Sequence, residues 1–204
     1  MKGLYAITPE AASTDALLQM VARALEGGIA LLQYRNKLAD EPLRHEQAEA
    51  LLKMTRAKRV PLIVNDDVAL AAAIDADGAH VGRDDGDVAA ARRALPGKLL
   101  GASCYSSLEA AEAAVREGAD HVAFGSVFAS GTKPGASRAP LDLFTRARHL
   151  GVPLVAIGGI TLENAPQVIA AGADCVAVIS DLFGAPDIAG RAASYRSLFE
   201  KGPA

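Results

Sequence analysis

Several short polar segments combine residue types that could grip phosphorylated ligands. They are Gln33-Tyr34-Arg35-Asn36-Lys37, Asn65-Asp66-Asp67, Asp84-Asp85, Ser103, the run 125–135 with Ser130-Gly131-Thr132-Lys133 inside it, and Gly158-Gly159 with Ile179-Ser180. A glycine pair followed, one unit later, by a small hydroxyl residue that opens a short helix makes a cradle of backbone N–H groups for one phosphate. Arg35, Lys37 and Lys133 add three cationic donors, more than a monoester already held by amides requires. They point to a second and more highly charged anion, a diphosphate. Asp66 and Asp85 facing phosphate oxygens suit magnesium, a hard ion usually held by one or two carboxylates plus substrate phosphates.

Taken singly, each residue also has an ordinary reading. Asp67 and Asp84 suit helix N-caps, and Arg35 and Lys37 suit solvated loop charges. Ser103 could cap a helix or bond a ligand. The glycines at 158 and 159 could make a tight turn, although close approach of the backbone to a ligand is the preferred reading. His80 is expected in the core or behind the site rather than as a catalyst. Tyr34, Tyr105 and Phe128 are expected to pack rather than stack on a ligand, and Cys104 and Cys175 to be buried and inert.

These segments must be brought together by the elements between them. Short β-rich runs at 4–8, 30–34, 61–65, 79–81, 99–103, 121–124, 154–157 and 175–179 alternate with alanine-rich stretches of helical period, the order of parallel strands joined by crossover helices. Three joints share nearly the same wording: Glu26-Gly27-Gly28, Glu117-Gly118-Ala119-Asp120 and Ala171-Gly172-Ala173-Asp174. A glycine just past a helix end can take positive φ and turn the chain into the next strand. Eight repeated units predict one (β/α)8 barrel domain over residues 1–204, with every polar segment at a strand's carboxyl end and so around one mouth. An open doubly wound sheet is the alternative, but Thr8-Pro9-Glu10 stands where a dinucleotide-binding glycine fingerprint would follow the first strand.

The bulk composition narrows the partners. With 21 basic and 24 acidic residues among 204, no net field favours nucleic acid or a membrane surface. The two cysteines have neither metal-ligand spacing nor a disulfide pattern. Residues 1–7 have strand character and are too short for the apolar region of a secretion signal, so none is expected there, and no apolar run approaches the roughly 20 residues of a membrane span. A cytoplasmic protein acting on small molecules is expected, and a homo-oligomer is compatible with the sequence.

The chain resembles the thiamine phosphate synthase family in Leu4-Tyr5-Ala6-Ile7-Thr8, Gln33 to Lys37, Val64-Asn65-Asp66-Asp67, Asp77-Gly78-Ala79-His80-Val81-Gly82, Gly101-Ala102-Ser103, Gly118-Ala119-Asp120, Thr132-Lys133 and Ala156-Ile157-Gly158-Gly159-Ile160. The resemblance implies that hydroxymethylpyrimidine diphosphate and a thiazole phosphate are joined to give thiamine phosphate, with diphosphate released by dissociative substitution. It further implies that Gln33, Tyr34, Arg35, Asn36, Lys37, Asn65, Ser103 and Lys133 bind the pyrimidine diphosphate. Asp66 and Asp85 would hold Mg2+, and Ser130, Gly131, Thr132, Gly159, Ile179 and Ser180 the thiazole phosphate. Arg35, Lys37, Ser103 and Lys133 would carry catalysis. The sequence departs from the family at Tyr105 (often histidine), Arg83 (glutamine), Ser130 (threonine) and Ser126 (proline). It also has Asp181 after Ser180, where an acidic residue would set negative charge near the thiazole phosphate. A related thiazole tautomerase and a non-catalytic thiamine-precursor binder are the alternatives. The first would need an acid/base pair and no diphosphate clamp.

Overall fold

A computed structural model describes residues 1–82, 86–129 and 138–200. Eight parallel strands close into one barrel, each paired with its sequence neighbours and β1 with β8. The strands are β1 (Gly3–Ile7), β2 (Leu31–Tyr34), β3 (Leu62–Asn65), β4 (Gly78–Val81), β5 (Leu99–Tyr105), β6 (His121–Phe124), β7 (Leu154–Ile157) and β8 (Cys175–Val178). Helices α1 (Thr14–Gly27), α2 (Glu41–Lys58), α3 (Val68–Ala73), α4 (Val88–Ala94), α5 (Leu108–Arg116), α6 (Asp142–Arg146), α7 (Ala165–Ala171), α8 (Ser180–Phe183) and α9 (Ile188–Glu200) surround it. The barrel expected from the repeated units is therefore the architecture, and no described helix is long and apolar enough to cross a membrane.

Side chains alternate along each strand between lumen and helix layer. Tyr5, Ile7, Leu31, Ile63, Ala123, Val155, Cys175 and Ala177 pack inside the barrel. Their neighbours Leu4, Ala6, Leu32, Tyr34, Leu62 and Val64 pack outward against the helices. The lumen of so small a barrel is filled rather than open.

The repeated joints have a common mechanism. Gly28, Gly118 and Gly172 take φ of 90°, 105° and 115°, a region that costs glycine little. The aspartates that follow Gly118 and Gly172, together with Asp77, do a second job. Asp77, Asp120 and Asp174 each precede an even-numbered strand and accept an N–H from the first or second residue of the strand before it: Leu62 N at 2.8 Å, Leu100 N at 2.8 Å and Leu154 N at 2.9 Å. Edge donors that the ladder leaves over are satisfied in this way. Arg92 reinforces one such joint by donating to the carbonyls of Leu95, Lys98 and Gly118 and to Asp120.

β5 departs from expectation. It runs to Tyr105 instead of stopping at Ser103, and its register against β6 shifts between those residues. Tyr105 takes a φ of 52°. A bulge of this kind bends a strand end and re-aims its side chains, and bulges concentrate beside functional sites.

Candidate active site

A cavity of about 760 Å³ opens at the carboxyl ends of the strands. Of the residues singled out in the sequence, it gathers Gln33, Arg35, Lys37, Asn65, Asp66, Ser103, Gly158, Gly159, Ile179 and Ser180. Asp85, Arg83, Ser130, Gly131, Thr132 and Lys133 lie outside the described residues.

The second strand shows how alternation sorts a contiguous motif. Gln33 faces the lumen, where its amide Nε2 donates to the Tyr5 hydroxyl at 2.9 Å. Tyr34 faces the opposite way and donates from its hydroxyl to Gln47 on α2 at 2.9 Å. Arg35 returns to the cavity. Its backbone N–H donates to the Thr8 hydroxyl, which in turn donates to the Arg35 carbonyl, so β1 pins the start of the loop. Asn36 is buried behind the cavity, donating to the Ala11 carbonyl and to Gln47 and accepting from Ala39 N–H. The structure therefore brings Gln33, Arg35 and Lys37 together and leaves Tyr34 and Asn36 out of the cavity, as supports for the segment. A strict period of two would have separated them in the sequence.

The cations do not stand as a bare positive cluster. Arg35 pairs with Glu10 at 2.6 Å, and Lys37 with Asp66 at 2.9 Å. Glu10 was not singled out in the sequence, where only its place just past β1 could have pointed to it. Asp66 is held in an unusual conformation, with φ of 62° and the Asp67 N–H closing on the Asn65 carbonyl at 2.7 Å. Such a three-residue turn of positive φ is strained and rare. It turns the Asp66 carboxylate into the cavity, while Asp67 caps α3 by accepting from Leu70 N–H at 2.9 Å.

Ser103 does not cap a helix. That task falls to Ser107 at the start of α5, and Ser103 Oγ instead lies 2.9 Å from His80 Nε2. His80 and His121 are buried in the lumen, which pushes their pKa values down to about 4 and about 3, because a charged imidazole there loses its hydration. Tyr5, equally buried, has its pKa pushed upward by burial. Both cysteines are buried thiols, and burial raises that of Cys175 to about 12.

The glycine pair has a reason the sequence did not disclose. A Cβ on Gly158 would meet Ser126 Oγ at 2.3 Å, and one on Gly159 would meet the Ala129 carbonyl oxygen at 2.3 Å. The segment after β6 lies directly over them, with Val127 N–H donating to the Ile157 carbonyl and Phe128 N–H to that of Gly158. The close backbone approach is thus made by the chain itself. Asp181 also reads differently in place. Its Oδ2 accepts from the Tyr195 hydroxyl at 2.6 Å and from Arg191 at 3.4 Å, so its charge is compensated from α9.

The sequence profile described as thiamine monophosphate synthase matches residues 4–182. The chain belongs to the thiamine monophosphate synthase family. Within that family, the thiamine-phosphate synthase of Aromatoleum aromaticum is 57% identical over 202 residues, covering 98% of this chain and 97% of the relative. The thiamine-phosphate synthase of Methylobacillus flagellatus is 55% identical over 200 residues, covering 98% and 96%. The solved structure of thiamine phosphate pyrophosphorylase from Pyrococcus furiosus superposes with a TM-score of 0.88 at 35% identity, covering 98% of this chain and 96% of that one. The family likeness thus includes every strand end that lines the cavity.

Proposed function

We propose that this chain is a thiamine phosphate synthase, a transferase that joins hydroxymethylpyrimidine diphosphate to a thiazole phosphate and releases diphosphate. The observation that carries the reading is the convergence of Arg35, Lys37, Asn65, Asp66, Ser103, Gly159 and Ser180 on one cavity in a chain of this family. The pyrimidine diphosphate occupies the side formed by Gln33, Arg35, Lys37, Asn65 and Ser103, joined by Lys133. The thiazole phosphate lies against Gly159, Ile179 and Ser180 with Ser130, Gly131 and Thr132. One domain over residues 1–204 carries the activity, in the cytoplasm.

Chemistry of this kind needs no protein nucleophile. The bond from the pyrimidine methylene carbon to the diphosphate oxygen breaks with its electron pair leaving on diphosphate. The aminopyrimidine shares the resulting positive charge, and the thiazole nitrogen then supplies the pair for the new C–N bond. The protein's contribution is to stabilise the departing anion with preorganised cations and to hold the two reactants in line. Arg35 and Lys37 arrive already oriented by Glu10 and Asp66. An anion entering the cavity meets positioned donors rather than mobile ones.

The donor set fits magnesium. Asp66 offers a hard carboxylate oxygen at the cavity wall, and no group of three or more ligating side chains exists among the described residues. A site with so few protein ligands leaves positions for phosphate oxygens and water, as magnesium prefers. Asp66 and Asp85 would hold it, and the ion would neutralise charge on the diphosphate.

Purified protein incubated with both substrates and magnesium should form thiamine phosphate and diphosphate in equal amounts. Isomerised thiazole phosphate alone would identify a tautomerase instead, and no reaction a binding protein. Asp66→Asn should raise the magnesium concentration needed for half-maximal rate on the order of tenfold or more. An unchanged magnesium titration would place the ion elsewhere.

A further inference from the structure

Beneath the cavity the lumen contains two imidazoles that the reaction scheme leaves unused. His80 and His121 are 6% and 1% exposed, and their ring centroids are 5.7 Å apart. His80 Nδ1 and both nitrogens of His121 are buried without a hydrogen-bond partner. Gly101 on β5 explains how the rings fit, because a Cβ there would lie 2.4 Å from His80 Nδ1 and 2.2 Å from His121 Nε2. Two unpartnered nitrogens therefore neighbour one another across the space left by a missing side chain. On its other side, His80 Nε2 meets Ser103 Oγ at the cavity wall.

Proton bookkeeping gives this row a direction. Each neutral imidazole carries one N–H and one bare nitrogen. Were His80 protonated at Nδ1, that N–H would face His121 Nε2 as acceptor. His121 would then carry its proton on Nδ1, where no partner exists. An orphaned buried N–H is rarer and costlier than an unused lone pair. The opposite arrangement gives His80 Nε2–H an acceptor in Ser103 Oγ and turns His121 Nε2–H toward the bare His80 Nδ1 across the space at Gly101, rather than leaving it on the side away from any acceptor.

We propose that His80, backed by His121, is a positioning residue that donates to Ser103 Oγ and so directs the Ser103 hydroxyl into the cavity as a hydrogen-bond donor to the departing diphosphate. The inference rests on the synthase reading for the identity of the acceptor, whereas the direction of the row is a property of the resting protein. With one of its two lone pairs engaged by His80, the Ser103 hydroxyl cannot donate back to that nitrogen, so its proton is available to the cavity before negative charge develops on the leaving group. Gly101 is the space that permits the row, and β5 supplies both it and Ser103.

The direction can be read without turnover. In protein with 15N-labelled histidine, the four histidines separate by tautomer in long-range 1H–15N spectra, with His45→Gln, His149→Gln and His121→Phe giving the assignments. Both buried rings should carry the proton on Nε2. A His80 protonated on Nδ1 would overturn the proposal, whatever the enzyme catalyses. The functional half is a double-mutant cycle. His80→Leu and Ser103→Ala should each lower kcat on the order of tenfold to a hundredfold, with the KM for thiazole phosphate unchanged. In the Ser103→Ala background, His80→Leu should cost less than about a further twofold. His80→Gln, which can still donate to Ser103, should recover most of the loss. Multiplying effects in the cycle would mean that His80 acts independently of Ser103.

Discussion

At the scale of single residues, the site depends on a few side chains being in conformations that propensity disfavours. Asp66 at positive φ is one, and its sequence context, Asn65-Asp66-Asp67, gives no more than a general turn signal. Gly101 is constrained by space instead, since His80 on β4 and His121 on β6 converge where its side chain would be. Gly101→Ala should lower stability by about 1–3 kcal/mol through overpacking, measured by urea unfolding, and should reduce turnover because the rings it displaces hold Ser103. Stability equal to the wild type would show that the lumen has slack there.

The same rings predict an acid sensitivity. Unfolded histidine takes up a proton near its ordinary value of 6.5, whereas the buried rings do so only near 4 and 3. Over the interval between, the unfolded chain binds more protons, so stability is fully present above about pH 6.5 and declines as pH falls toward 4, at up to about 1.4 kcal/mol per pH unit for each ring. His121→Phe removes one of the two and should halve the slope in urea titrations run between about pH 5 and 7. An undiminished slope would assign the acid sensitivity to other groups.

At the scale of elements, the αβ joints were the most legible part of the sequence. The Gly-Ala-Asp wording at 118–120 and 172–174 identified repeated units because one local device, a positive-φ glycine and a carboxylate for an N–H at the start of a strand, recurs with the same chemistry. Asp120→Ala leaves Leu100 N–H without its acceptor and should cost about 1–3 kcal/mol in urea unfolding. Asp120→Asn, which can still accept, should lose less. If Asp120→Ala unfolds like the wild type, the N–H has found another acceptor. The bulge in β5 was not legible, since it is defined by the register of β5 against β6, a relation between distant segments. Nor was the packing of the segment after β6 onto Gly158 and Gly159, a contact between residues about thirty positions apart.

At the scale of the whole molecule, the barrel converts scattered segments into one cavity, and eight strand ends are enough to predict which segments meet. Among the described residues, segments from different strand ends line one cavity, but the faces within a segment were not foreseen. Gln33 and Tyr34 are adjacent in sequence yet belong to different layers, and reading the motif as a block hid the separation. Charge shows the same limit. The cations were legible as residues, but their pairing with Glu10 and Asp66 depends on β1 and β3 lying on either side of β2, a relation that the strand order supplies and no single segment shows.

The carboxylates that fasten one stave to the next all sit at the barrel's amino-terminal rim, the full length of a strand away from the cavity. Foundation and workshop are therefore at opposite ends of the building. A lineage, or an engineer, could refit the reactive end for a different pair of reactants while the fastenings below continue to hold the cylinder shut.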